Sequence, residues 1–378
     1  MNRLLLIGDP NSIYVHNYAI QLRKHYGSAL IIDLFATFPT KRKVGTMPYD
    51  HLFGRCSSDP THPAGKLPRW FRPWQLYRFL RNKRRKYDVV HVLYCIQDLM
   101  IAARQLRRVA PRLILTMFGS DFYQLPGWKK PLMHKVWQSA DFITSNNSLA
   151  LEAIRKSFSV NPERMKLCRF GFNALDTLHA MNDTLQPVCR ERLGIPTEKV
   201  VVCIGYNYDS IQQHIPILKS IAANPGLLSR KDELFFLIPM TYGTEPAYRA
   251  ELLKALSQFH FPYLAPDHFL SEEDNACLRK APDVMIQLQK SDSLSASSQE
   301  HMYARNLLIT GKWLPYHDLV EAGIYFRSIQ VLEDTGAELL YCIENLVQEK
   351  KRCLSNPAAI YKLSSWNSNL PSWLDLYA

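Results

Sequence analysis

The sequence predicts an α/β protein with two βα domains, each built on a parallel sheet. Strand-like and helix-like segments alternate, and the strands are continuous apolar runs, as in sheets covered by helices on both faces. A polar, irregular stretch near residues 174–196 interrupts this alternation. The chain of 378 residues is long enough for two cores. We predict a first domain at 1–175, a linker at 176–196, a second domain at 197–356, and a C-terminal segment at 357–378 that packs back on the first domain.

Each predicted element has its own local pattern. The strands of the first half are RLLLIG, SALIIDLF, YDVVHVLY, PRLILTMFG, ADFITSN and RMKLCRFGF, with amphipathic helices at NSIYVHNYAIQLRKHY, QDLMIAARQLRRVA and SLALEAIRKSF. The second half has strands at KVVVCIGYN, ELFFLIPM and DVMIQLQ, and helices at HIPILKSIAA, AYRAELLKALSQF and DNACLRKA. EHMYARNLLITG predicts a helix followed by a strand, and AELLYCIENLVQEKKRCL predicts one long helix.

Composition narrows the class of protein. The eight cysteines are scattered without CxxC spacing, which indicates reduced core cysteines in a cytoplasmic protein. No stretch approaches the roughly 20 apolar residues that a membrane-spanning helix needs. The N-terminal MNRLLLIGDPNS predicts a first strand rather than a signal peptide.

The net charge of +12 is concentrated in one segment, KLPRWFRPWQLYRFLRNKRRK at 66–86, which has nine Lys or Arg and no acid. Its aromatic residues recur at helical spacing, so they would share one face of a cationic helix suited to an anionic lipid surface. The predicted membrane contacts are Trp70, Trp74, Tyr77, Arg81, Arg84 and Arg85. A solvated basic helix whose rings pack on the domain is an open alternative. We expect no nucleic-acid partner, because no nucleic-acid-reading motif accompanies the charge.

Ligands of open parallel sheets bind beyond the carboxyl ends of the strands. Four loops lie at such places: GDPNS, FGSD, GYNYD and SDSLSASSQE. GDPNS lacks both the GxGxxG pattern and a P-loop lysine, which argues against a dehydrogenase or a P-loop enzyme. Asn11 or Ser12 in this loop could instead cap the following helix.

The loop SLSASSQE carries the more specific signal. Amides at the start of a helix attract phosphate, and small side chains let the phosphate approach closely. Ser297 and Ser298 would add hydroxyl donors, Glu300 would reach the hydroxyls of a ribose, and Asp292 those of a sugar. This loop could therefore bind both ends of a nucleotide-sugar. The alternative is a serine-rich helix cap in which Glu300 is the acid of a capping box.

The step from Asp292 to Glu300 resembles the E-x7-E signature of GT-B glycosyltransferases of family 4, with Asp in place of the first Glu. HMYARNLLITGKWLPYHDLV is similar to the helix, strand and loop that follow the signature. The first half of the chain contains segments in the order found in the N-terminal domain of that family: NSIYVHNYAIQLRK, YDVVHVLY, LTMFGSDF, SADFITSNNSLALEAI and KLCRFGFNAL. IGYNYDSIQQHIPILKSI with FFLIPMTYG is similar to bacterial transferases that add an acetamido-fucose to a lipid-linked sugar. The resemblance implies the GT-B fold, in which two Rossmann-like βα domains face each other across a cleft.

The same resemblance implies a glycosyltransferase that moves a sugar from a nucleotide-diphosphate sugar to a lipid-linked glycan acceptor. The product would belong to capsule, O-antigen or exopolysaccharide. The enzyme would be cytoplasmic and peripheral on the anionic inner leaflet of the inner membrane, without a cofactor or metal, and retaining rather than inverting. A nucleotide-sugar epimerase on the same fold and a catalytically silent glycan-binding member are open alternatives.

Site residues follow from the resemblance position by position. Glu300 would bind the nucleotide ribose and Asp292 the donor sugar, and both are catalytic candidates together with Asp121. The implied donor contacts are Gly205, Asn207, Tyr208, Met240, Tyr242, Ser297, Ser298 and Glu300.

The chain also departs from the family pattern. An Arg and a Lys usually follow the first strand of the second domain, but GYNYDSIQQH contains neither. Lys312, Arg169 across the cleft, or backbone dipoles would then compensate the charge of the diphosphate. A GSD turn replaces a histidine of the first domain, which leaves Asn11, Ser12 and Asp121 as the acceptor-side candidates. Asp121 could equally cap a turn. No DxD-type metal pair appears at a strand end, and the histidines show no ligand spacing.

Overall fold

The protein is described by a computed structural model for residues 1–40, 47–54, 72–82, 86–94, 97–123, 125–292 and 294–378. The chain divides into two compact units. The first comprises Met1–Gly171 with Asn369–Ala378, and the second comprises Phe172–Ser368. Each unit contains one sheet whose strands are all parallel, which confirms the predicted α/β class.

The first unit is built on a seven-stranded sheet of order β3-β2-β1-β4-β5-β6-β7. Its strands are β1 (Arg3–Gly8), β2 (Ile31–Ala36), β3 (His51–Gly54), β4 (Val89–Leu93), β5 (Arg112–Met117), β6 (Phe142–Ser145) and β7 (Met165–Leu167). Its helices are α1 (Ile13–Tyr26), α2 (Arg72–Arg81), α3 (Ala103–Val109), α4 (Ser120–Tyr123), α5 (Lys130–Ser139) and α6 (Ser148–Phe158). Short 3-10 turns lie at Gly27–Ala29, Gln97–Ile101, Gly127–Lys129 and Pro162–Arg164. The edge strand β3 had not been predicted, because HLFG is short and only partly buried.

The last ten residues of the chain complete the core of the first unit. Trp373 is fully buried, and its ring centroid lies 5.0 Å from that of Tyr18. The Tyr377 hydroxyl hydrogen-bonds the Tyr18 hydroxyl at 2.8 Å and His91 Nδ1 at 2.6 Å. The other His91 nitrogen bonds Thr116 Oγ1 at 2.6 Å. Burial lowers the pKa of His91 to about 3, so this histidine is a neutral core residue at neutral pH.

The second unit is built on a six-stranded sheet of order β10-β9-β8-β11-β12-β13. Its strands are β8 (Val200–Ile204), β9 (Leu234–Leu237), β10 (Tyr263–Leu264), β11 (Val284–Gln287), β12 (Leu307–Gly311) and β13 (Arg327–Ile329). Its helices are α7 (Asn173–Ala180), α8 (Gln186–Leu193), α9 (His214–Ala222), α10 (Pro225–Ser229), α11 (Pro246–Ser257), α12 (Glu272–Lys280), α13 (Ala296–Tyr303), α14 (His317–Glu321), α15 (Thr335–Glu344), α16 (Leu346–Arg352) and α17 (Asn356–Ser364). A last helix, α18 (Trp366–Leu374), begins in this unit and ends in the first. Short 3-10 turns lie at Ser210–Gln212, Lys231–Glu233 and Leu332–Asp334.

Two stretches of the second unit differ from the predicted secondary structure. Residues 174–196, expected to be irregular, form most of α7 and all of α8, and Leu175 and Leu178 of α7 are buried. The long helix expected at 337–354 is instead two helices, α15 and α16, which meet at Asn345. The Asn345 side chain donates to the carbonyl of Tyr341 at 2.9 Å, and such local bonding competes with the helical ladder.

Candidate functional site

The loops selected from the sequence of the second domain lie together in the second unit. β9, β8, β11 and β12 are adjacent and parallel, so the loops that follow them emerge at one edge of the sheet. We call this surface the loop edge, residues 205–213, 238–245, 288–292, 294–295 and 312–316. Hydrogen bonds join neighbouring loops: Tyr208 N to Tyr242 O (3.1 Å), Lys290 N to Ile211 O (3.0 Å), and Trp313 Nε1 to Gln289 O (2.8 Å).

Gly205 and His214 form a tight contact at the end of β8. Gly205 has φ +65°, and a Cβ at this position would lie 2.5 Å from His214 Nε2, so only glycine fits here without a shift. His214 is fully buried, and within the described chain neither ring nitrogen has a hydrogen-bond partner. Burial lowers the pKa of His214 to about 4, so the ring is neutral at neutral pH. Buried polar groups are normally hydrogen-bonded, which makes this ring a candidate ligand contact.

The turn Asn207–Asp209 is fastened to the loop after β9. Asn207 Oδ1 accepts from the Asp209 amide at 3.2 Å, and Asp209 Oδ1 accepts from the Thr244 amide at 2.5 Å. The Tyr208 hydroxyl donates to the Gly243 carbonyl at 2.9 Å. The structure therefore places Asn207 and Tyr208 at the loop edge. Tyr208 bonds the neighbouring loop directly, and Asn207 holds Asp209, which bonds that loop in turn.

Met240 and Tyr242 occupy different environments after β9. Met240 is buried within the hydrophobic core of the unit. The Tyr242 ring is half exposed at the loop edge. The pKa of Tyr242 is raised above its usual range, first by burial and then by Tyr206, and nearby Glu300 adds to the rise. Tyr242 and Glu300 are therefore close enough to interact electrostatically.

The start of α13 combines a helix cap with unsatisfied polar groups. Ser295 is the cap: its Oγ accepts from the Ser298 amide at 3.2 Å and from Gln287 Nε2 at 2.6 Å. The amides of Ala296 and Ser297 open the helix and therefore have no intrahelical acceptor. The Ser297 hydroxyl and Gln287 Oε1 are buried without a hydrogen-bond partner in the described chain, and the neighbouring Ser298 hydroxyl is also buried. This combination suits a ligand that is rich in hydrogen-bonding oxygens.

Glu300 makes a buried ion pair rather than a capping box. It lies in the second turn of α13, one turn later than expected, so the capping-box position belongs to Ser298. Its Oε2 accepts from Arg279 Nε at 2.7 Å, and the two side chains are 10% and 8% exposed. Burial opposes the charge of Arg279, but Glu300 outweighs this effect and holds the pKa of the guanidinium above its usual value. Glu300 Oε1 has no hydrogen-bond partner in the described part of the chain.

Asp292 lies before α13 and accepts a hydrogen bond from the Tyr316 hydroxyl at 2.7 Å. Tyr316 is almost fully buried, and its pKa is raised by burial and then by Asp292. At neutral pH the phenol is therefore protonated and donates to the carboxylate, which fixes the orientation of Asp292.

Sequence reasoning missed several of these partners. Arg279, Tyr316 and His214 each contact or approach a predicted residue, but none has a local motif. The sequence offered one signal for Arg279: this cation lies on the apolar face of α12, three residues after buried Ala276. Lys312, predicted to compensate the diphosphate, is exposed on the loop after β12.

One group of described side chains has a spacing that suits a metal ion: His317, Asp318 and Glu321, whose ligand atoms lie within 4.8 Å of one another. The spacing of His317 and Glu321 in α14 had not been recognised in the sequence. His317 Nε2 lies 3.6 Å from Glu321 and 3.8 Å from Asp318. These distances describe a partly exposed ion-pair cluster, and we assign no metal to it.

The acceptor-side candidates lie on two loops of the first unit. Asn11 donates to Asp9 Oδ1 at 2.9 Å and to the Pro39 carbonyl at 2.8 Å. Ser12 occupies the N-cap position of α1, although its side chain makes no capping bond. Asp121 is buried, and its Oδ1 accepts from the amides of Phe118 and Gly119 at 3.1 and 2.9 Å. The Asp121 carboxylate therefore caps the turn between β5 and α4. Arg169 also lies in this unit, after β7, where its carbonyl accepts from Trp373 Nε1 at 2.8 Å.

Part of the predicted membrane segment is helical. Trp74, Tyr77 and Arg81 lie in α2, whereas Trp70, Arg84 and Arg85 lie outside the described residues. Leu76 and Leu80 form the buried face of α2, and Trp74 and Arg81 are exposed. Among the described helices, none has both the length and the apolar character needed to cross a membrane.

Comparisons with known proteins support the fold. Residues 52–171 match the glycosyl transferase 4-like domain. No curated protein matches the chain in sequence. Among solved structures, a glycosyltransferase from Rickettsia africae is similar, with TM-score 0.75 and 12% identity, over 100% of this chain and 98% of that chain. Sucrose-phosphate synthase from Thermosynechococcus elongatus matches with TM-score 0.72 and 15% identity, over 100% and 98%. Anabaena HepE in complex with UDP matches with TM-score 0.68 and 15% identity, over 100% and 99%. The chain therefore has the fold of GT-B glycosyltransferases, as predicted.

Proposed function

We propose that this chain is a glycosyltransferase that binds a nucleoside diphosphate-sugar at the loop edge of the second unit. The observation that carries this proposal is the start of α13, where two amides have no intrahelical acceptor and the buried Ser297 hydroxyl has no hydrogen-bond partner among the described residues. Diphosphate oxygens accept hydrogen bonds from such groups, and the helix dipole favours their charge. The glycosyl transferase 4-like match and the likeness to HepE, solved with UDP and with UDP-glucose, support the same chemistry.

Glu300 and Asp292 would contact the two sugars of the donor. Arg279 holds one carboxylate oxygen of Glu300 and leaves Oε1 to accept from the ribose hydroxyls. The Tyr316 hydroxyl donates to one oxygen of Asp292, so the carboxylate is oriented before a hydroxyl of the transferred sugar arrives. Neither role needs a metal ion, and we propose a metal-independent reaction with retention of configuration.

The diphosphate site can be tested by calorimetry with a panel of nucleoside diphosphates and their sugars. Ser297→Ala should weaken binding by roughly tenfold or more, because hydrogen bonds to charged groups contribute about 1.5–3 kcal/mol. Ser257→Ala is the matched control, since that hydroxyl donates to the Lys254 carbonyl on an exposed helix. Absence of binding by every nucleotide, or equal loss in both variants, would remove the proposal.

We further propose that the acceptor is a lipid-linked glycan bound by the first unit, and that the enzyme attaches peripherally to the inner membrane. In addition to the exposed Trp74, the segment 128–132 of the same unit presents Trp128 at 70% and Leu132 at 49% exposure. Lys129 Nζ lies 4.9 Å from the centre of the Trp128 ring. Aromatic rings and cations together suit the headgroup region of an anionic bilayer.

Vesicle flotation tests this attachment. The wild-type chain should float with vesicles that contain an anionic lipid, and Trp128→Ser with Leu132→Ser should reduce the floating fraction several-fold. Phe269→Ser, which removes an 89% exposed ring from the second unit, should have no effect. Failure of the wild-type chain to float would refute the attachment without affecting the donor site.

A further inference from the structure

Cationic side chains converge on a pocket of the second unit that is remote from the loop edge. Lys280 ends α12 just before β11 begins, and Arg305 lies between α13 and β12. Both therefore lie where strands begin, at the opposite edge of the sheet from the loops that follow those strands. Together with Lys350 of α16, these residues line a cavity of about 230 Å³. We call it the cationic pocket.

The cations of the pocket exceed the acids that face them. Lys350 Nζ lies 3.9 Å from Asp283 Oδ1, too far for a hydrogen bond, and Asp283 already binds Arg190 at 2.7 Å. Lys280 donates to two backbone carbonyls, of Met181 and Asn182, which carry no charge.

Arg305 is the least compensated cation of the pocket. It forms no ion pair or side-chain hydrogen bond in the described part of the chain. Asp183 is an acid that acts on Lys280. Three cations line the pocket, Lys280, Arg305 and Lys350. Of Asp283 and Asp183, the first is already paired with Arg190, which leaves Asp183 against three cations and therefore an excess of about two positive charges. Burial lowers the pKa of Lys280 and of Lys350, and Arg305 adds to the lowering in both cases. An anion in the pocket would relieve this repulsion.

Arg305 also holds a strained backbone conformation. Its φ is +66°, in the left-handed region that glycine adopts without strain and that usually follows the end of a helix. The same unit ends α8 with Gly194 at φ +68°, so glycine occupies the equivalent place there. Strained backbone conformations persist where the surrounding structure holds them, and they cluster at functional and ligand-binding sites.

We propose that the cationic pocket is a second anion site, which binds a phosphate group independently of the loop edge. A phosphate carries between one and two negative charges at neutral pH, which matches the charge excess. Gln186, whose amide lies beside Asp283, and Asn182 supply neutral polar groups at the wall of the pocket. The volume admits a phosphate or diphosphate group, either free in solution or as the headgroup of a phospholipid.

The variant Arg305→Gly separates binding from folding. Glycine removes the cation and relieves the backbone, so the melting temperature without ligand should stay equal or rise by about 2–4 °C. Calorimetry with pyrophosphate on the full chain should show affinity weakened by roughly tenfold or more. Arg305→Lys should retain part of the affinity, and Lys254→Gln, at an exposed site on α11, should retain all of it.

Two further arms identify the source of the phosphate and its location. If only binding to phosphatidic acid vesicles, and not to pyrophosphate, is lost in Arg305→Gly, the site takes a lipid headgroup. Phosphatidylcholine vesicles serve as the neutral comparison. If pyrophosphate binding is lost in Ser297→Ala, and Arg305→Gly changes neither pyrophosphate binding nor vesicle binding, the anion is bound at the loop edge and the proposal is overturned. Equal binding of both ligands by Arg305→Gly and the wild-type chain also overturns it.

Discussion

Glu300→Gln would leave Arg279 charged and buried beside a neutral amide. The two side chains are only 10% and 8% exposed, so water cannot replace the lost charge. Removing one partner of a buried ion pair costs about 3–5 kcal/mol. The glutamine oxygen can still accept from Arg279 Nε, which recovers about 1–1.5 kcal/mol. We expect a net loss of about 1.5–4 kcal/mol in the free energy of unfolding of the second unit, or about 3–16 °C in its melting temperature.

Differential scanning calorimetry and urea unfolding measure this loss. Glu233→Gln is the matched control, because its ion pair with Arg230 has the same 2.7 Å distance but is 55% exposed on the Glu side. An exposed pair contributes at most about 1 kcal/mol. The double variant Arg279→Gln, Glu300→Gln should lose less than the two single variants added together. If Glu300→Gln melts at the wild-type temperature, or at a temperature no lower than that of Glu233→Gln, the ion pair does not stabilise the unit.

Transfer by the Glu300→Gln variant should be measured well below its melting temperature. We expect strongly weakened turnover there, because the ribose contact is lost independently of stability. Unchanged turnover in the folded variant would remove Glu300 from the donor site.

Two other predictions concern the end of β8. The pKa of His214, about 4, is below its ordinary value of 6.5, so on acidification the unfolded chain binds the proton first. This contribution to stability is complete above pH 6.5 and should decline by about 3 kcal/mol as the pH falls to 4. The free energy of unfolding of His214→Phe, measured in urea, should therefore depend less steeply on pH. An identical slope in the variant and the wild type would contradict a buried neutral ring. Gly194→Ala places its Cβ in open space, so it should lose only the unfolding free energy that a left-handed alanine costs, about 1 kcal/mol. Gly205→Ala has this backbone cost and, in addition, a steric clash between its Cβ and His214. We expect Gly205→Ala to lose about 1–3 kcal/mol more than Gly194→Ala, and equal melting temperatures would contradict the contact.

Local patterns were sufficient for the central strands of both sheets. Strands such as RLLLIG and DVMIQLQ are apolar because both of their faces are covered, and this pattern is visible without knowledge of their neighbours. The strands that were missed, β3, β10 and β13, are short and lie at sheet edges. An edge strand is only partly covered, so it needs no continuous apolar run.

The candidate site likewise contains features that local sequence patterns predicted and contacts that they did not predict. The serine-rich start of α13 could be located because a cap and the amides it exposes are encoded within a few residues. Arg279, by contrast, pairs with Glu300 from a different helix, 21 residues earlier in the chain. Tyr316 reaches Asp292 over 24 residues.

The sequence by itself therefore determined the alternation of strands and helices and the positions of the loops that follow the strands. Hydrophobic periodicity and helix capping act over a few residues, and they specify these features directly. Only the tertiary structure decided which carboxylates are paired, which histidines are buried, and where the cations of the second unit converge. Those properties depend on burial and on charges brought close by folding, and neither is encoded at a single position of the chain.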